Sequence, residues 1–461
     1  MGSGVETRFK RYAEAMVQAL GHAARADPAR WYLRGLMLPG SRKSVEPMAA
    51  RVQPEKVRSA HQSMHHLVAD SDWSDTALLA AVVSEVVPVL TGEGESPCYW
   101  IIDDTGHRKY GEHSVGVARQ YCGQLGKVDN CQVAVSLTLA TAQGSLPLCY
   151  RLYLPEAWAK DKPRRERAGV PKQITFATKG EIARTQIKAA LAAGIPRGPL
   201  LMDAAYGDEA ALRDWLSAHG LVYAVGIRPE SAVWCDEHEP APPAPVKQGR
   251  GRPRTRVRRD KTHQPLSVRE LAKSLPRSCY RTITWREGTN AALRSRFASV
   301  RVRAAHADRP REQEWLLIEW PKGEAEPTRY FLSTLPEDTS FKALVATVKM
   351  RWRIERDYRE LKQEVGLGHY EGRNWRGFHH HASLCIAAYG FLMLERLSGA
   401  KKNSARLQTP SLPKGFHPRG SVPDAAPRPV VHRHRTLSAG TRHRSQSFTM
   451  SVLREAVCAA S

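Results

Sequence analysis

The stretch Cys98-Tyr-Trp-Ile-Ile-Asp103-Asp104-Thr105-Gly106 is where the chain changes period. Before it, apolar residues recur at helical spacing, as in Tyr12, Met16 and Leu20 and again in Leu78, Leu79, Val82 and Val83. From Cys98 they are consecutive, and the run closes on two acids and a turn. This is the pattern of a short central strand buried on both faces. Val128–Thr141 and Ser145–Leu154 follow, rich in β-branched residues and parted by the Gln143-Gly144 turn, so the three runs read as an antiparallel meander.

Downstream the same punctuation returns. Pro199-Leu-Leu-Met-Asp203-Ala-Ala-Tyr206-Gly207-Asp208 is a second apolar strand tipped by an aspartate. A helix from Glu209 to His219 and a strand from Leu221 to Ile227 come next, and strand, helix, strand implies parallel pairing through a crossover. The fold class is therefore α/β, a mixed sheet with flanking helices. Asp103 and Asp203 stand at strand ends, where such sheets place their chemistry.

A third acid lies far along the chain, in Lys349-Met-Arg351-Trp-Arg-Ile-Glu355-Arg-Asp-Tyr358-Arg-Glu-Leu-Lys362. No Pro or Gly interrupts Phe341 to Val365, so one helix is expected. At roughly 100° per residue, Arg351, Glu355 and Lys362 share a sector of about 40°. A carboxylate between two cations suits a metal ligand flanked by phosphate-holding groups. A solvated face with intrahelical ion pairs has the same pattern.

The chain has 461 residues and a formal net charge of +24, which points to a polyanionic partner and to two or three domains. An anionic membrane surface is the competitor, but no long apolar span or lipidation signal accompanies the charge. Eight scattered cysteines without a C-x-x-C pair read as reduced thiols, and no secretory segment precedes the fold, so a cytoplasmic protein is expected. Residues 1–92 read as a small helical DNA-binding domain, within which Arg42 and Lys43 follow Pro39-Gly40 in a cationic turn suited to phosphate contacts. Residues 93–229 and 337–400 read as the two parts of the core, and 230–336 as a β-rich insertion led by a basic Pro/Arg linker. Residues 401–461, basic and nearly free of acids, read as a disordered tail holding nucleic acid nonspecifically.

Two strand-end aspartates and a helix-borne glutamate suit two divalent metals about 3.5–4 Å apart, able to activate water or a hydroxyl and to stabilise the leaving oxygen of a phosphodiester. At this point the sequence resembles the DDE transposases of bacterial insertion sequences, within them the IS-four superfamily, and most narrowly the IS-seven-hundred-and-one group. The likeness is carried by Leu38–Arg51, Ile-Asp-Asp-Thr-Gly (Ile102–Gly106), Ser114–Gly123, Asp-Ala-Ala-Tyr-Gly-Asp (Asp203–Asp208), Arg-Trp-Arg-Ile-Glu (Arg351–Glu355) and Gly-His-Tyr-Glu (Gly368–Glu371). The resemblance implies an RNase H-like fold interrupted by a β-rich insertion. It implies a catalytic, metal-binding triad of Asp103, Asp203 and Glu355, with Asp104 as alternative to Asp103. Arg351 and Lys362 would hold phosphates beside the scissile bond. The signature tyrosine of that group falls at Val348, with Tyr358 as a candidate substitute.

Further implied are Mg²⁺, with Mn²⁺ as substitute, in a two-metal site; double-stranded DNA as partner, both terminal inverted repeats and target; and a dimer in a synaptic complex, associated with the bacterial nucleoid. The implied activity is cut-and-paste transposition. The alternative is an inactive or domesticated copy acting as a DNA-binding repressor. Tyr330, on the strand before the Glu355 helix, is either a base-stacking aromatic or an ordinary sheet residue. Arg250-Gly-Arg252-Pro matches a minor-groove AT-hook core, and a generic charged linker fits equally. His379-His380-His381 cannot chelate one zinc from a helix, because neighbouring residues point apart. Gly123–Lys127 lacks the phosphate-loop spacing.

Overall fold

The computed structural model describes residues 4–92, 94, 96–123, 125–235, 264–287, 292–306 and 311–407. Five helices come first: α1 (Gly4–Ala19), α2 (Ala26–Met37), α3 (Val45–Val52), α4 (Val57–Ala69) and α5 (Asp75–Thr91). Next are β1 (Cys98–Arg108), β2 (Ala118–Cys122), β3 (Lys127–Thr141), β4 (Ser145–Leu152), and helices α6 (Glu156–Lys160), α7 (Lys162–Arg167) and α8 (Lys179–Ala192). Then come β5 (Leu200–Met202), α9 (Ala204–Gly207), α10 (Ala210–Ala218), β6 (Tyr223–Ile227), β7 (Ala232–Trp234), β8 (Leu266–Ser267) and α11 (Val268–Ser274). The chain continues with β9 (Arg281–Glu287), β10 (Ala292–Ala304), β11 (Glu314–Trp320), β12 (Arg329–Ser333), α12 (Phe341–Lys349), α13 (Trp352–Arg359) and α14 (Trp375–Leu407).

The strands form one mixed sheet in the order β2-β3-β1-β5-β6-β12-β11-β10-β7-β8, with β4 also on β3 and β9 on β10. β1, β3 and β4 make the expected meander, with Asp103 opposite Ser136. β5 runs parallel to β1 and β6 parallel to β5, as the strand–helix–strand pattern requires. The 230–336 segment carries strands β9 to β12 in antiparallel pairing, and β12 pairs with β6, so this segment extends the central sheet. Arg250 and Arg252, with the rest of the basic linker, lie outside the described residues.

Alternation along β1 sorts the two cores. Ile102 belongs to the large core that takes in α8, α14 and the amino-terminal helices. Ile101 faces the opposite way, with Leu201, Ala224, Phe297 and Leu317, onto Leu344, Val345 and Val348 of α12 and Ile354 and Tyr358 of α13. Val348 is a core contact at the position where the resemblance calls for a tyrosine.

The amino-terminal helices share their core with the sheet and do not stand apart from it. α14 runs through them: the Tyr12 hydroxyl donates to the Ala387 carbonyl, and Arg8 pairs with Glu395 at 2.5 Å. The break in period near residue 92 marks a change of element, and the packing crosses it. The basic stretch Lys162–Arg167 is helical, because the Asp161 side chain accepts from the Arg164 amide and Pro163 stands in the first turn. α14 runs on through residue 401 to Leu407; residues 408–461 lie outside the described residues.

Candidate active site

The expected single helix over Phe341–Val365 is three pieces. Between α12 and α13 the backbone tightens: the Arg353 and Ile354 amides donate to Met350 and Arg351, three residues back. Glu360–Val365 then widens into a π-helical turn. One tightening and one widening undo the constant rotation assumed from sequence. Arg351 and Glu355 stay neighbours one turn apart, at 3.8 Å, but Lys362 leaves them. Its ammonium donates to the Gly106 carbonyl at 2.7 Å, and burial pulls its pKa down to about 8.

Arg351 instead reaches β1. Its Nη1 donates to Asp103 Oδ2 at 2.7 Å. Asp104, one residue on, points to the other face, where Lys179 at the start of α8 meets it at 2.5 Å. Asp203 caps α9: its Oδ1 accepts from the Ala205 and Tyr206 amides at 3.0 and 3.4 Å. The turn fits against β6 because Gly207 and Gly226 are both glycines. A Cβ on Gly207 would lie 1.9 Å from the Gly226 carbonyl oxygen.

Electrostatics tie the acids together. Burial is the main reason the Asp103 carboxyl is pushed up to about 7; Asp203 and Asp104 raise it further, and Arg351 works against them. Burial also opposes the charge on Arg351, yet Asp103, Asp203 and Glu355 together hold the guanidinium charged. One cation thus sits in the field of three carboxylates drawn from two strand ends and a helix. Glu355 itself is open to solvent, with 70% of its side chain exposed. Among the described residues no three His, Cys, Asp or Glu side chains are gathered as a metal-binding cluster. The donor set is nonetheless one that hard divalent cations prefer: carboxylate oxygens, mutually repulsive, with the Asp103 pKa raised chiefly by burial.

Other expected site residues have different employment. Lys43 is buried at 1% exposure, and its ammonium donates to the Leu36 and Leu38 carbonyls, closing the end of α2. It is a helix cap, because the Pro39-Gly40 turn folds it back. Arg42 is exposed and paired with Glu371 at 2.6 Å. Tyr330 is 2% exposed in β12, with its hydroxyl on the Pro327 carbonyl, so it is a sheet core residue with no face for a base. The three histidines of α14 serve separate buried bonds: His379 to Trp375 and Leu152, His380 to Val68 and Trp73, His381 to Tyr32 and Gly366.

Sequence reasoning named Tyr358 as a stand-in phosphate contact and missed its role, and that of Tyr206, in holding the site in shape. The Tyr358 hydroxyl lies 2.8 Å from Ser136 Oγ and donates to the Asp103 carbonyl at 3.2 Å, so this tyrosine fixes β1 from beneath. Tyr206 is buried, and its hydroxyl lacks a partner among the described residues; Asp104 and Asp103 add to the burial that raises its pKa. Its place in Asp-Ala-Ala-Tyr-Gly, three residues past a strand-end acid, was the available signal.

The family described as DDE superfamily endonuclease matches residues 15–292, well over half the chain. The chain belongs to that family. Asp103 and Asp203 fall inside the matched residues and Glu355 outside them. A similar protein is the "Probable transposase for insertion sequence element IS701" of Microchaete diplosiphon, 33% identical over 148 residues. That match spans 32% of this chain and 35% of the relative. Among the described residues no helix of this DDE superfamily member is long and apolar enough to cross a membrane.

Proposed function

We propose that this protein is a transposase that binds the terminal inverted repeats of its insertion sequence, cuts the phosphodiester backbone there and joins the freed 3′-hydroxyls to target DNA. The observation that carries the reading is Arg351, clasped to Asp103 and acted on by Asp203 and Glu355. The strand order β4-β3-β1-β5-β6, three antiparallel then two parallel, supports an RNase H-like core, with residues 230–336 as its β-rich insertion.

In this reading Asp103, Asp203 and Glu355 would hold divalent magnesium, or manganese in its place, as a two-metal site. Bound there, the metal supplies an activated water or hydroxyl and offsets charge on the leaving oxygen. The residues do the rest. Asp203 is oriented by its cap bonds and Asp103 by the Tyr358 bond beneath its backbone. Arg351 stands where a scissile phosphate would exchange for a carboxylate, and guanidinium suits either anion. Glu355 stands open to solvent on its helix, one turn from Arg351. A dimer in a synaptic complex, working on nucleoid DNA in the cytoplasm, completes the proposal.

The test is cleavage of a duplex carrying the element's own ends by the purified chain, with Mg²⁺ and with EDTA. Metal-dependent nicking at the repeat boundary is expected. Specific binding without cleavage under any divalent metal would replace the reading with that of a repressor.

A further inference from the structure

Of the large hydrophobic side chains exposed among the described residues, Tyr110, Tyr121, Leu125 and Val128 crowd into one place, the ribbon that continues the far end of β1. Tyr110 is 90% exposed, Tyr121 60% and Val128 54%. Tyr121 is paired with Val128, and Arg119, two residues from Tyr121, is paired with Asn130, so these side chains share one face. Arg108 is paired with Cys131, the opposite phase of β3. Arg108 lies 5.0 Å from the Tyr110 ring centroid and 3.3 Å from Asp129 on that other face.

The other phase of the ribbon, Cys122 and Cys131, is buried with Val133 against the body, so the face left for a partner is the one that carries Arg119, Tyr121 and Val128. The major groove of duplex DNA is about 12 Å wide and admits a two-stranded β-ribbon. Charge selects the same partner. Arg119 and Lys127 stand exposed against one acid, Glu112, since Arg108 and Asp129 pair with each other and Lys109 donates to the Tyr370 carbonyl. The basic helix α7 is tied alongside, Arg164 donating to the Glu112 carbonyl at 2.7 Å. β2 is the outermost strand of the sheet, which would also suit a second copy, but two such cationic ribbons would meet like charge to like charge.

We propose that the β2–β3 ribbon, with Tyr110 at its root, is a DNA clasp that enters a groove of the duplex on one side of the cutting site; this rests on the transposase reading for its substrate. Arg108 is five residues beyond Asp103 on the same strand, about 17 Å at roughly 3.3 Å per residue. Tyr121 and Val128 pair three residues further out than Arg108 and Cys131, so on a duplex that follows β1 the clasp lies about 26 Å, or roughly eight base pairs at about 3.4 Å each, from the phosphate at Asp103. Arg119 and Lys127 neutralise backbone phosphates, while Tyr121 and Tyr110 pack against groove walls.

The experiment uses the full chain and a fluorescein-labelled mixed-sequence duplex of about 40 base pairs. Photoreactive benzoylphenylalanine is placed at Tyr121, at Tyr110 and, as a control, at Phe176, which is 41% exposed elsewhere. Crosslinks to the duplex are expected from the first two positions and none from the third. The double variant Arg119→Ala/Lys127→Ala should flatten the slope of log affinity against log salt by about two, with an unchanged melting temperature. A crosslink from Tyr121 to a second protein chain, or an unchanged slope, overturns the clasp while leaving the transposase reading intact. Should the unsubstituted chain fail to bind the duplex at all, both readings fall together. Where the double variant does not fold, the crosslinks alone decide.

Discussion

Arg351 and Asp103 meet at 2.7 Å across 248 residues of chain, and that contact joins the two halves of the core. Both side chains are largely shielded, so removing the cation strands a carboxylate. Arg351→Ala should lower stability by about 2 kcal/mol at pH 8, less than for a fully buried pair because some water reaches the site. The sign with pH is specific. Asp103 has a folded-state pKa of about 7, above its unfolded value of 3.8, so its protonated form favours the fold. Its contribution is fullest at low pH and is lost as pH rises through 7. The variant's deficit should shrink toward pH 5, where a proton does the work of the guanidinium. Denaturant melts at both pH values check this, and an equal deficit at each would contradict it.

Lys43 separates a structural cation from a DNA-binding one. With its ammonium buried on two carbonyls, Lys43→Met should cost about 2–3 kcal/mol, as lost charge-assisted bonds leave the acceptors bare. Below its melting temperature the variant should bind duplex DNA as the parent does. Arg42→Ala, at an exposed pair, should leave the melting temperature unchanged. Calorimetry beside fluorescence anisotropy distinguishes the two.

His381 predicts an acid limit. The Tyr32 hydroxyl reaches its Nδ1 at 2.8 Å and the Gly366 carbonyl its Nε2 at 3.0 Å, so neutral imidazole satisfies both. Burial holds its pKa down to about 4, against 6.5 when unfolded. The stability it contributes is present above pH 6.5 and lost as pH falls toward 4, because the unfolded chain takes up the proton first. His379, also buried and bonded as a neutral ring, has its pKa lowered in the same direction. Melting temperature should fall steeply between pH 6.5 and 4.5, and His381→Gln should blunt the fall.

Much of this was legible where local rules and burial agree. The apolar run before Asp103, the β-branched meander and the crossover around α10 all follow from period and turn chemistry. Thr178 and Glu181 make the capping box that starts α8. What escaped depended on partners distant in sequence. Lys43 carries the residue type of a phosphate contact, and only the turn after α2 shows it pointing inward. Lys362 fits the helical face of Glu355 on any constant rotation, and no residue between them signals the π-turn. Tyr330 is the same amino acid in a core sheet as beside DNA. The Arg351–Asp103 contact was approached from chemistry, as a cation near an acid, but its partner was taken to be Glu355 and phosphate.

The exposed Glu355 gives the sharpest division between catalysis and stability. Its nearest cation is Arg351 at 3.8 Å, and with 70% of the side chain in water the pair adds little to the fold. Glu355→Gln should therefore change stability by no more than about 0.5 kcal/mol. It keeps the length of the side chain and its reach into the site, but removes one anionic oxygen donor. If Glu355 completes the metal set begun by Asp103 and Asp203, cleavage in Mg²⁺ should fall by at least about 10²-fold, the order seen when one group stabilising transition-state charge is lost. Binding to the terminal repeats should hold, since the clasp and the basic surfaces are untouched. Asp104→Asn provides the contrast: its carboxylate faces Lys179 on the other side of β1, so it should keep cleavage within a few-fold of the parent. Parental cleavage by a folded Glu355→Gln chain would remove the glutamate from the mechanism, leaving the two strand-end aspartates to be matched with another acid.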